Sequence, residues 1–274
     1  MREVEIKLAT SDGLGLYARE WCPDEAAVGT VCVLHGLGEH GGQYVDVAHA
    51  LVTRGVALTA IDLRGHGRSE GPRGHTPSYR ALLNDVDALL AGTAERHPGV
   101  PRFLYGHSLG GNIVLNHALR RTPDIAGVVA TSPWLWLTDD LVWYKRVLGT
   151  MIEPFWPTLS FSTRNDRSEI LEEVGLRHNA ELFHNLITVR LLMQVRRAGM
   201  WAARHGERLA VPTLLLHGEV DPITDPRGSH RFVERAGARC EAHFLPGVGH
   251  NPHEEAPVTV STIVDWVVRR IGGD

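Results

Sequence analysis

The chain has 274 residues, of which 43% are hydrophobic and 22% are charged, a composition typical of a globular protein. Its length suits one elaborated α/β domain, because a chain of this size easily buries a core. With 28 basic and 32 acidic residues the formal charge is −4, which gives no electrostatic basis for binding nucleic acid or an anionic membrane. We therefore expect a small-molecule partner and no nucleic acid.

The three cysteines, Cys22, Cys32 and Cys240, show neither a disulfide framework nor the spacing of a zinc site. This usage is typical of a reducing compartment. Residues 1–13 alternate polar and apolar side chains and lack the apolar region of a secretion signal. No later stretch reaches the roughly 20 apolar residues that span a bilayer. We expect a soluble, cytoplasmic protein that needs no metal or other cofactor.

Short apolar runs bounded by glycine, proline and aspartate recur along the chain, and they predict the buried strands of a mostly parallel sheet. Two antiparallel strands are expected first, at residues 4–8 and 14–20. The other strands are predicted at residues 30–34, 56–61, 102–105, 127–131, 213–217 and 241–245. Apolar residues at helical spacing predict crossover helices at 79–94 and 111–121. The pattern predicts an α/β fold in which helices flank the sheet.

About 80 residues separate the strands predicted at 127–131 and 213–217, whereas a helical crossover needs only about 30. An insertion is therefore expected. We assign residues 1–133 and 211–274 to the core, and residues 134–210 to a helical cap with a flanking crossover helix. The cap contains five of the seven tryptophans. These side chains either pack the cap onto the core or line a pocket for an acyl chain.

The pentapeptide at residues 106–110, GHSLG, has the Gly-x-Ser-x-Gly spacing of a nucleophile elbow. In such an elbow the serine occupies a strained turn between a strand and a helix, so its neighbours must lack bulk. A predicted strand precedes this pentapeptide, and a predicted helix with a further small residue, Gly111, follows it. Ser108 is therefore the predicted nucleophile.

A serine hydroxyl is a weak nucleophile at neutral pH, so a base must accept its proton and an acid must orient that base. In folds with this elbow the partners follow in the order serine, acid, histidine. Asp221 comes just after the strand predicted at 213–217, and His250 comes after the last strand in a glycine-rich loop. These two residues are the predicted acid and base.

Each predicted partner has rivals in the neighbouring sequence. Asp225 is the rival acid, but the turn that begins at Asp221 directly follows the strand. His243 lies within a predicted strand and His253 follows a proline, whereas the glycines before His250 would let its ring reach the serine. The sequence therefore favours Asp221 and His250.

Attack on a carbonyl places negative charge on its oxygen, which is stabilised by preorganised N–H donors. Such donors are typically the amide after the nucleophile, here that of Leu109, and one from an early loop. Residues 35–40, HGLGEH, form that loop and point to the amide of Leu37, although a glycine-rich turn can also cradle a phosphate. Four early histidines are expected to build loops rather than bind a metal, because no acidic residues share their spacing: His35, His40, His66 and His75.

Six blocks carry a resemblance to a known family. They are HGLGEHGGQY (35–44), DLRGHGRSEGPRG (62–74), GHSLGG (106–111), TSPWL (131–135), HGEVDPITDP (217–226) and GHNPHEE (249–255). Together, and in this order, they resemble the monoacylglycerol lipase and lysophospholipase branch of the α/β hydrolases, which is also described as serine aminopeptidase-like. The first two blocks are more specific to this branch than the pentapeptide is.

The resemblance implies an α/β-hydrolase fold and a catalytic triad of Ser108, Asp221 and His250, with Leu37 and Leu109 at the oxyanion hole. It also implies that the insertion is the family's cap over a hydrophobic acyl tunnel. Candidate substrate-binding residues are His107, Trp134, Trp136 and Trp156.

We accordingly expect a serine esterase that hydrolyses monoacylglycerols or related acyl esters. A lysophospholipase, thioesterase or amidase with the same triad is the alternative enzyme, and a lipid-binding protein without activity is the alternative outside enzymes. Haloalkane dehalogenases and epoxide hydrolases are disfavoured because they need an aspartate where this chain has Ser108. The cap would permit transient membrane contact or dimerisation, and composition does not separate a monomer from a homodimer.

Overall fold

In the computed structural model, residues 1–163 and 180–273 are described, and their centre is an eight-stranded sheet. Its strands are Arg2–Ala9 (β1), Gly15–Cys22 (β2), Gly29–Leu34 (β3), Val56–Ile61 (β4), Arg102–His107 (β5), Gly127–Thr131 (β6), Thr213–Gly218 (β9) and Cys240–Leu245 (β10). They lie side by side in the order β1-β2-β4-β3-β5-β6-β9-β10. All eight strands predicted from the sequence are present.

In this sheet β2 runs in the direction opposite to the other seven strands. It pairs in antiparallel fashion with β1 and β4, and every other pair is parallel. The mostly parallel α/β-hydrolase fold is thus confirmed. All residues of β3, β4 and β6 are buried, because helices cover both faces of a parallel sheet and leave no side of these strands in water.

The helices pack on both faces of the sheet and create two apolar cores. Their bounds are Val45–Val52 (α1), Tyr79–Arg96 (α2), Leu109–Arg121 (α3), Trp143–Ile152 (α4), Val189–Ala202 (α5), Pro226–Ala236 (α6), Pro257–Gly272 (α8) and a single turn at Pro252–Glu255 (α7). One core contains buried residues of α2, α3 and α5, and the other contains those of α1 and α8. The helix predicted at 111–121 begins two residues earlier, directly after Ser108.

The chain between β6 and β9 contains more than helices. Besides α4 and α5, it holds two short strands, Ser160–Ser162 (β7) and Leu186–Thr188 (β8), which pair in antiparallel fashion. The sequence predicted only helices here, because three-residue strands are too short to show an alternating pattern. Helix α5 contacts α3 and α2, whereas α4 has no buried residue.

The parallel sheet decides where functional side chains meet. Loops that leave the carboxyl ends of β3, β5, β9 and β10 carry Leu37, Ser108, Asp221 and His250. The carboxyl ends of parallel strands lie at one edge of a sheet, and this edge is where α/β folds bind their ligands. Among the described residues, no helix is long and apolar enough to cross a membrane.

Candidate active site

Ser108 occupies a strained turn between β5 and α3. Its backbone has φ 51° and ψ −110°, in the positive-φ region that non-glycine residues rarely adopt. The neighbouring glycines permit this turn, since a Cβ on Gly106 would lie 2.3 Å from the carbonyl oxygen of Gly110, and one on Gly110 would lie 2.0 Å from that of Leu34. The local sequence therefore matches the nucleophile elbow that its spacing predicts.

A chain of hydrogen bonds joins Ser108, His250 and Asp221. The His250 Nε2 atom lies 3.1 Å from Ser108 Oγ, and its Nδ1 atom lies 2.8 Å from Asp221 Oδ2. Because a carboxylate only accepts hydrogen bonds, Nδ1 carries the proton and Nε2 is left to accept the serine proton. All three residues are buried. The arrangement has the geometry that activates a serine hydroxyl.

Asp221 is held by several donors besides His250. Its Oδ1 atom accepts hydrogen bonds from the backbone amides of Ile223 (2.8 Å) and Thr224 (2.9 Å), and Oδ2 accepts one from Thr224 Oγ1 (2.7 Å). Burial by itself raises the pKa of this carboxyl, but the hydrogen bonds from His217, His250 and Thr224 outweigh it and hold the pKa well below its usual range. Asp221 is therefore charged at neutral pH.

Hydrogen bonds and close packing hold the loop that carries His250. Glu255 accepts hydrogen bonds from the backbone amides of Gly249 (2.6 Å) and Asn251 (2.9 Å), on either side of His250. The end of β9 packs against the same loop, because a Cβ on Gly218 would lie 2.2 Å from the carbonyl oxygens of Gly249 and Val248. These contacts place the imidazole beside Ser108.

The two predicted oxyanion-hole residues lie on elements that touch. Leu109 is the first residue of α3, where helix N–H groups lack partners within the helix. Leu37 lies in the loop after β3, and this loop contacts the helix start through a 3.1 Å hydrogen bond from Gly110 N to His35 O. Glu39 fixes the loop by accepting a hydrogen bond of 2.8 Å from Gly36 N. The roles of Leu37 and Leu109 stay predictions.

Two further histidines pack around His250. The ring of His107 lies 4.9 Å from that of His250 and 4.9 Å from that of His253. His253 stacks on Tyr44 at 5.5 Å, and its burial lowers its pKa to about 3, so this ring is neutral at physiological pH. The neutral ring packs against His107, which in turn contacts His250, and it adds no positive charge near the base.

The rival acid and base have other partners. Asp225 is the N-cap of α6, where its carboxylate accepts a hydrogen bond from Arg227 N at 2.9 Å. His243 points its Nε2 atom at Glu241 Oε1, 3.1 Å away on the same strand. The hydrogen-bond chain to Ser108 runs through Asp221 and His250 instead.

The tryptophans predicted to bind substrate have different surroundings. Trp134 is 5% exposed, and its backbone N–H donates to Ser108 O at 2.9 Å. Trp136 is half-buried next to it, and its carbonyl oxygen accepts a hydrogen bond from Asp225 N. Trp156 is 67% exposed beyond α4. Trp134 therefore braces the elbow through its backbone, and contact of any of them with substrate stays a prediction.

The four early histidines lie in loops, as expected. His35 contacts Gly36 O at 2.7 Å and accepts a hydrogen bond from Leu63 N at 2.9 Å, so it ties two loops together. His40 and His66 bond within their own loops, to Gly42 N and Arg64 O, and His75 bonds to Thr188 Oγ1 at the end of β8.

Within the described ranges, one group of side chains has metal-ligand spacing. The ligand atoms of Glu20, Cys22 and His97 lie within 4.8 Å of one another, on β2 and at the end of α2. Arg96 donates to both carboxylate oxygens of Glu20, at 2.9 Å to Oε1 and 3.3 Å to Oε2. Since a guanidinium already neutralises this carboxylate, the group is better described as an ion-pair network than as a metal site.

Sequence reasoning missed two side chains that contact Asp221. His217 Nε2 lies 3.2 Å from Asp221 Oδ2, and Thr224 Oγ1 lies 2.7 Å from it. The sequence had marked His217 only as the end of a strand. The sequence did hold a signal for these contacts, because both residues are close to Asp221 in the chain. His217 lies four residues before Asp221, at the strand end, and Thr224 lies three residues after it.

The described geometry agrees with the comparison of the whole chain with known proteins. The sequence pattern of one family, serine aminopeptidase S33 (Hydrolase_4), matches residues 25–257. The chain belongs to this family. As a member of the monoacylglycerol lipase and lysophospholipase branch of the α/β hydrolases, it is a carboxylic ester hydrolase.

Three relatives of this S33 family member illustrate the similarity. Human monoglyceride lipase is 29% identical over 96% of this chain and 90% of its own length. The crystal structure of Paleococcus ferrophilus monoacylglycerol lipase superposes with a TM-score of 0.81 at 30% identity, covering 98% of this chain and 100% of that one. An uncharacterised abhydrolase domain-containing protein of Dictyostelium discoideum is 32% identical over 96% of this chain, which spans only 29% of that protein.

Proposed function

We propose that this protein hydrolyses monoacylglycerols or similar medium to long acyl esters through an acyl-enzyme intermediate on Ser108. The observation that carries the proposal is the continuous hydrogen-bond chain from Ser108 Oγ through His250 to Asp221. The serine sits in a strained elbow, the base has an acceptor nitrogen in reach of it, and the acid holds its charge. These are the requirements for nucleophilic catalysis by serine.

The first half-reaction transfers the acyl group to the enzyme. Ser108 Oγ attacks the ester carbonyl carbon while His250 Nε2 accepts the serine proton, and Asp221 stabilises the imidazolium that forms. The tetrahedral intermediate then collapses, and His250 gives the proton to the departing alcohol oxygen. The products of this step are the free alcohol and an ester of Ser108.

The second half-reaction uses water in place of the serine. His250 accepts a proton from a water molecule, whose oxygen attacks the acyl carbon of the Ser108 ester. Collapse of this second intermediate returns the proton to Ser108 Oγ and releases the carboxylic acid. In both steps the N–H groups of Leu37 and Leu109 stabilise the oxyanion in our proposal.

The proposed substrate class follows from residues 134–210, which we assign to a cap domain over the core, residues 1–133 and 211–274. These residues contain ten basic and nine acidic side chains, and a net charge of +1 provides little attraction for a phosphate or carboxylate head group. Apolar residues of α4 and the following turn are exposed, among them Trp143, Met151 and Phe155. Such a surface suits a neutral ester with an apolar chain and transient contact with a membrane.

The relatives support the same substrate class. Human monoglyceride lipase and the Paleococcus ferrophilus monoacylglycerol lipase each align over nearly the whole of this chain, including the cap. Both relatives are named as lipases of monoacylglycerols, and we propose the same substrate for this protein. We propose His107, Trp134, Trp136 and Trp156 as residues that line the path of the acyl chain.

The nucleophile is tested with p-nitrophenyl acyl esters. Ser108→Ala removes the attacking oxygen, so we expect kcat to fall by about 10³-fold or more. Ser261→Ala, which changes an exposed serine on α8, is the matched control and should keep the wild-type rate. Equal rates in wild type and Ser108→Ala would contradict the proposal.

The substrate class is tested with three acyl donors of equal chain length. We expect kcat/KM to be highest for a monoacylglycerol, lower for lysophosphatidylcholine and lower for an acyl-CoA, because the cap offers little charge to bind a phosphate. A preference for lysophosphatidylcholine or acyl-CoA would contradict the proposed substrate class and indicate a lysophospholipase or a thioesterase. It would not contradict the proposed triad.

A further inference from the structure

A second histidine contacts the carboxylate of Asp221. His217 is the fifth residue of β9 and is fully buried. Its Nε2 atom lies 3.2 Å from Asp221 Oδ2, the same oxygen that lies 2.8 Å from His250 Nδ1. Asp221 Oδ2 is therefore shared between two imidazole rings, only one of which touches Ser108.

The surroundings of His217 fix where its proton resides. Besides Asp221 Oδ2, its Nε2 atom lies 3.1 Å from the carbonyl oxygen of Thr224. Both oxygens only accept hydrogen bonds, so Nε2 must carry a proton. The Nδ1 atom lies 2.7 Å from the hydroxyl of Ser229, a buried residue of α6. The hydrogen bond between Nδ1 and the Ser229 hydroxyl holds the ring in the orientation that points Nε2 at Asp221.

This arrangement leaves the charge of Asp221 in place while restricting its position. The N–H donor at Nε2 polarises the carboxylate and holds Oδ2 in one position. The charged and titratable groups around this pair of rings are Asp221 and Asp225 near His217, and the ring of His107 beside His250. Because His217 and His250 share one oxygen, the bond to one ring limits the electron density available to the other.

We propose that His217 is a positioning residue that holds Asp221 Oδ2 in line with His250 and limits how strongly that oxygen attracts the His250 proton, with Ser229 fixing the orientation of the His217 ring. This inference rests on the proposed function, since it assigns His217 to the same Ser108, His250 and Asp221 machinery. His217 does not touch the substrate. It acts on the reaction only through Asp221.

Two substitutions at residue 217 separate this role from mere filling of space. His217→Leu keeps an apolar side chain of moderate size and removes the donor, whereas His217→Gln keeps an N–H donor. A hydrogen bond to a charged group typically contributes enough for a change of about 10- to 100-fold in rate. We expect that loss in kcat for His217→Leu, with KM changed by less than about threefold, and we expect His217→Gln to recover most of the rate.

The pH profile of kcat/KM is the readout that a purely structural role would not move. Without the His217 donor, Asp221 Oδ2 attracts the His250 proton more strongly, so a higher pH is needed to remove that proton. The acid limb should therefore shift to higher pH in His217→Leu and return toward the wild-type position in His217→Gln. A wild-type kcat and profile in His217→Leu, or equal losses in both variants, would overturn the inference.

Ser229→Ala covers the case in which His217→Leu does not fold. It removes the hydroxyl that is hydrogen-bonded to His217 Nδ1 and retains the ring, so we expect a smaller loss in kcat and a shift of the acid limb in the same direction. An unchanged rate and profile in Ser229→Ala, with His217→Leu unfolded, would overturn the inference. Ser108→Ala, assayed in parallel, keeps the two proposals apart, because activity in that variant contradicts the proposed function and not the role of His217 alone.

Discussion

The edge of the sheet around Ser108 and the exposed helix α4 are built in opposite ways. Around Ser108 the backbone is so closely packed that Gly106 and Gly110 have no room for a Cβ, and all three residues of the proposed triad are buried. Helix α4 has no buried residue, and the turn after it exposes Phe155 to 78%. The sheet edge around Ser108 is closely packed, whereas α4 leaves all of its side chains at least partly exposed.

This difference teaches which part of the protein governs which property. Catalysis requires atoms held in place to within about 0.5 Å, and the close packing and hydrogen bonds at the sheet edge provide that precision. An acyl chain is bound mainly by apolar surface, which α4 and the turn after it expose. We therefore expect changes at the sheet edge to alter kcat and stability, and changes on α4 and the turn after it to alter mainly KM.

The largest effect is expected for Asp221→Asn. The asparagine amide carries no negative charge to stabilise the His250 imidazolium, and it favours the wrong tautomer of His250. We therefore expect kcat to fall about 10⁴-fold. Steady-state kinetics with p-nitrophenyl esters measure the change. Asp225→Asn is the matched control and should keep kcat within a fewfold, because Asp225 caps α6 and is not bonded to His250. A larger loss of kcat in Asp225→Asn than in Asp221→Asn would show that Asp221 is not the catalytic acid.

A smaller effect, on stability, is expected for Gly110→Ala. The added Cβ would lie 2.0 Å from Leu34 O, a backbone atom that cannot move without distorting β3. Such overpacking typically costs about 1–3 kcal/mol of unfolding free energy, which urea denaturation measures. Gly272→Ala, where no heavy atom lies within 4 Å of the added Cβ, should cause no loss. Equal stability of the two variants would show that the elbow is more loosely packed than the structure indicates.

The smallest effect on stability is expected for Trp156→Ala. This side chain is 67% exposed, so its removal should change the unfolding free energy by no more than about 0.5 kcal/mol. If it lines the path of the acyl chain, KM for long-chain esters should rise while KM for acetate esters and kcat stay near wild type. The buried Trp134 is the contrast, and Trp134→Ala should cost about 3–5 kcal/mol. A similar destabilisation by both changes would break the distinction between the two regions.

Much of the sheet edge was predictable because its signals are local. The strained elbow needs glycines at fixed offsets from Ser108, and buried parallel strands need short apolar runs, so both leave a pattern within about ten residues. The chain order of Asp221 and His250 then followed from the strand order. The short strands β7 and β8 left no such pattern, because each has only three residues and their pairing joins positions 24 or more residues apart.

The sequence by itself determined the α/β fold, the family and the residues proposed for the triad, because backbone geometry and apolar periodicity are encoded in neighbouring residues. Only the tertiary structure decided what surrounds Asp221. His217 and Thr224 contact this carboxylate, and the packing of β9 against α6 brings Ser229 to His217. Hydrogen bonds depend on distance and direction in space, so a sequence that contains 16 histidines does not reveal which two share an aspartate.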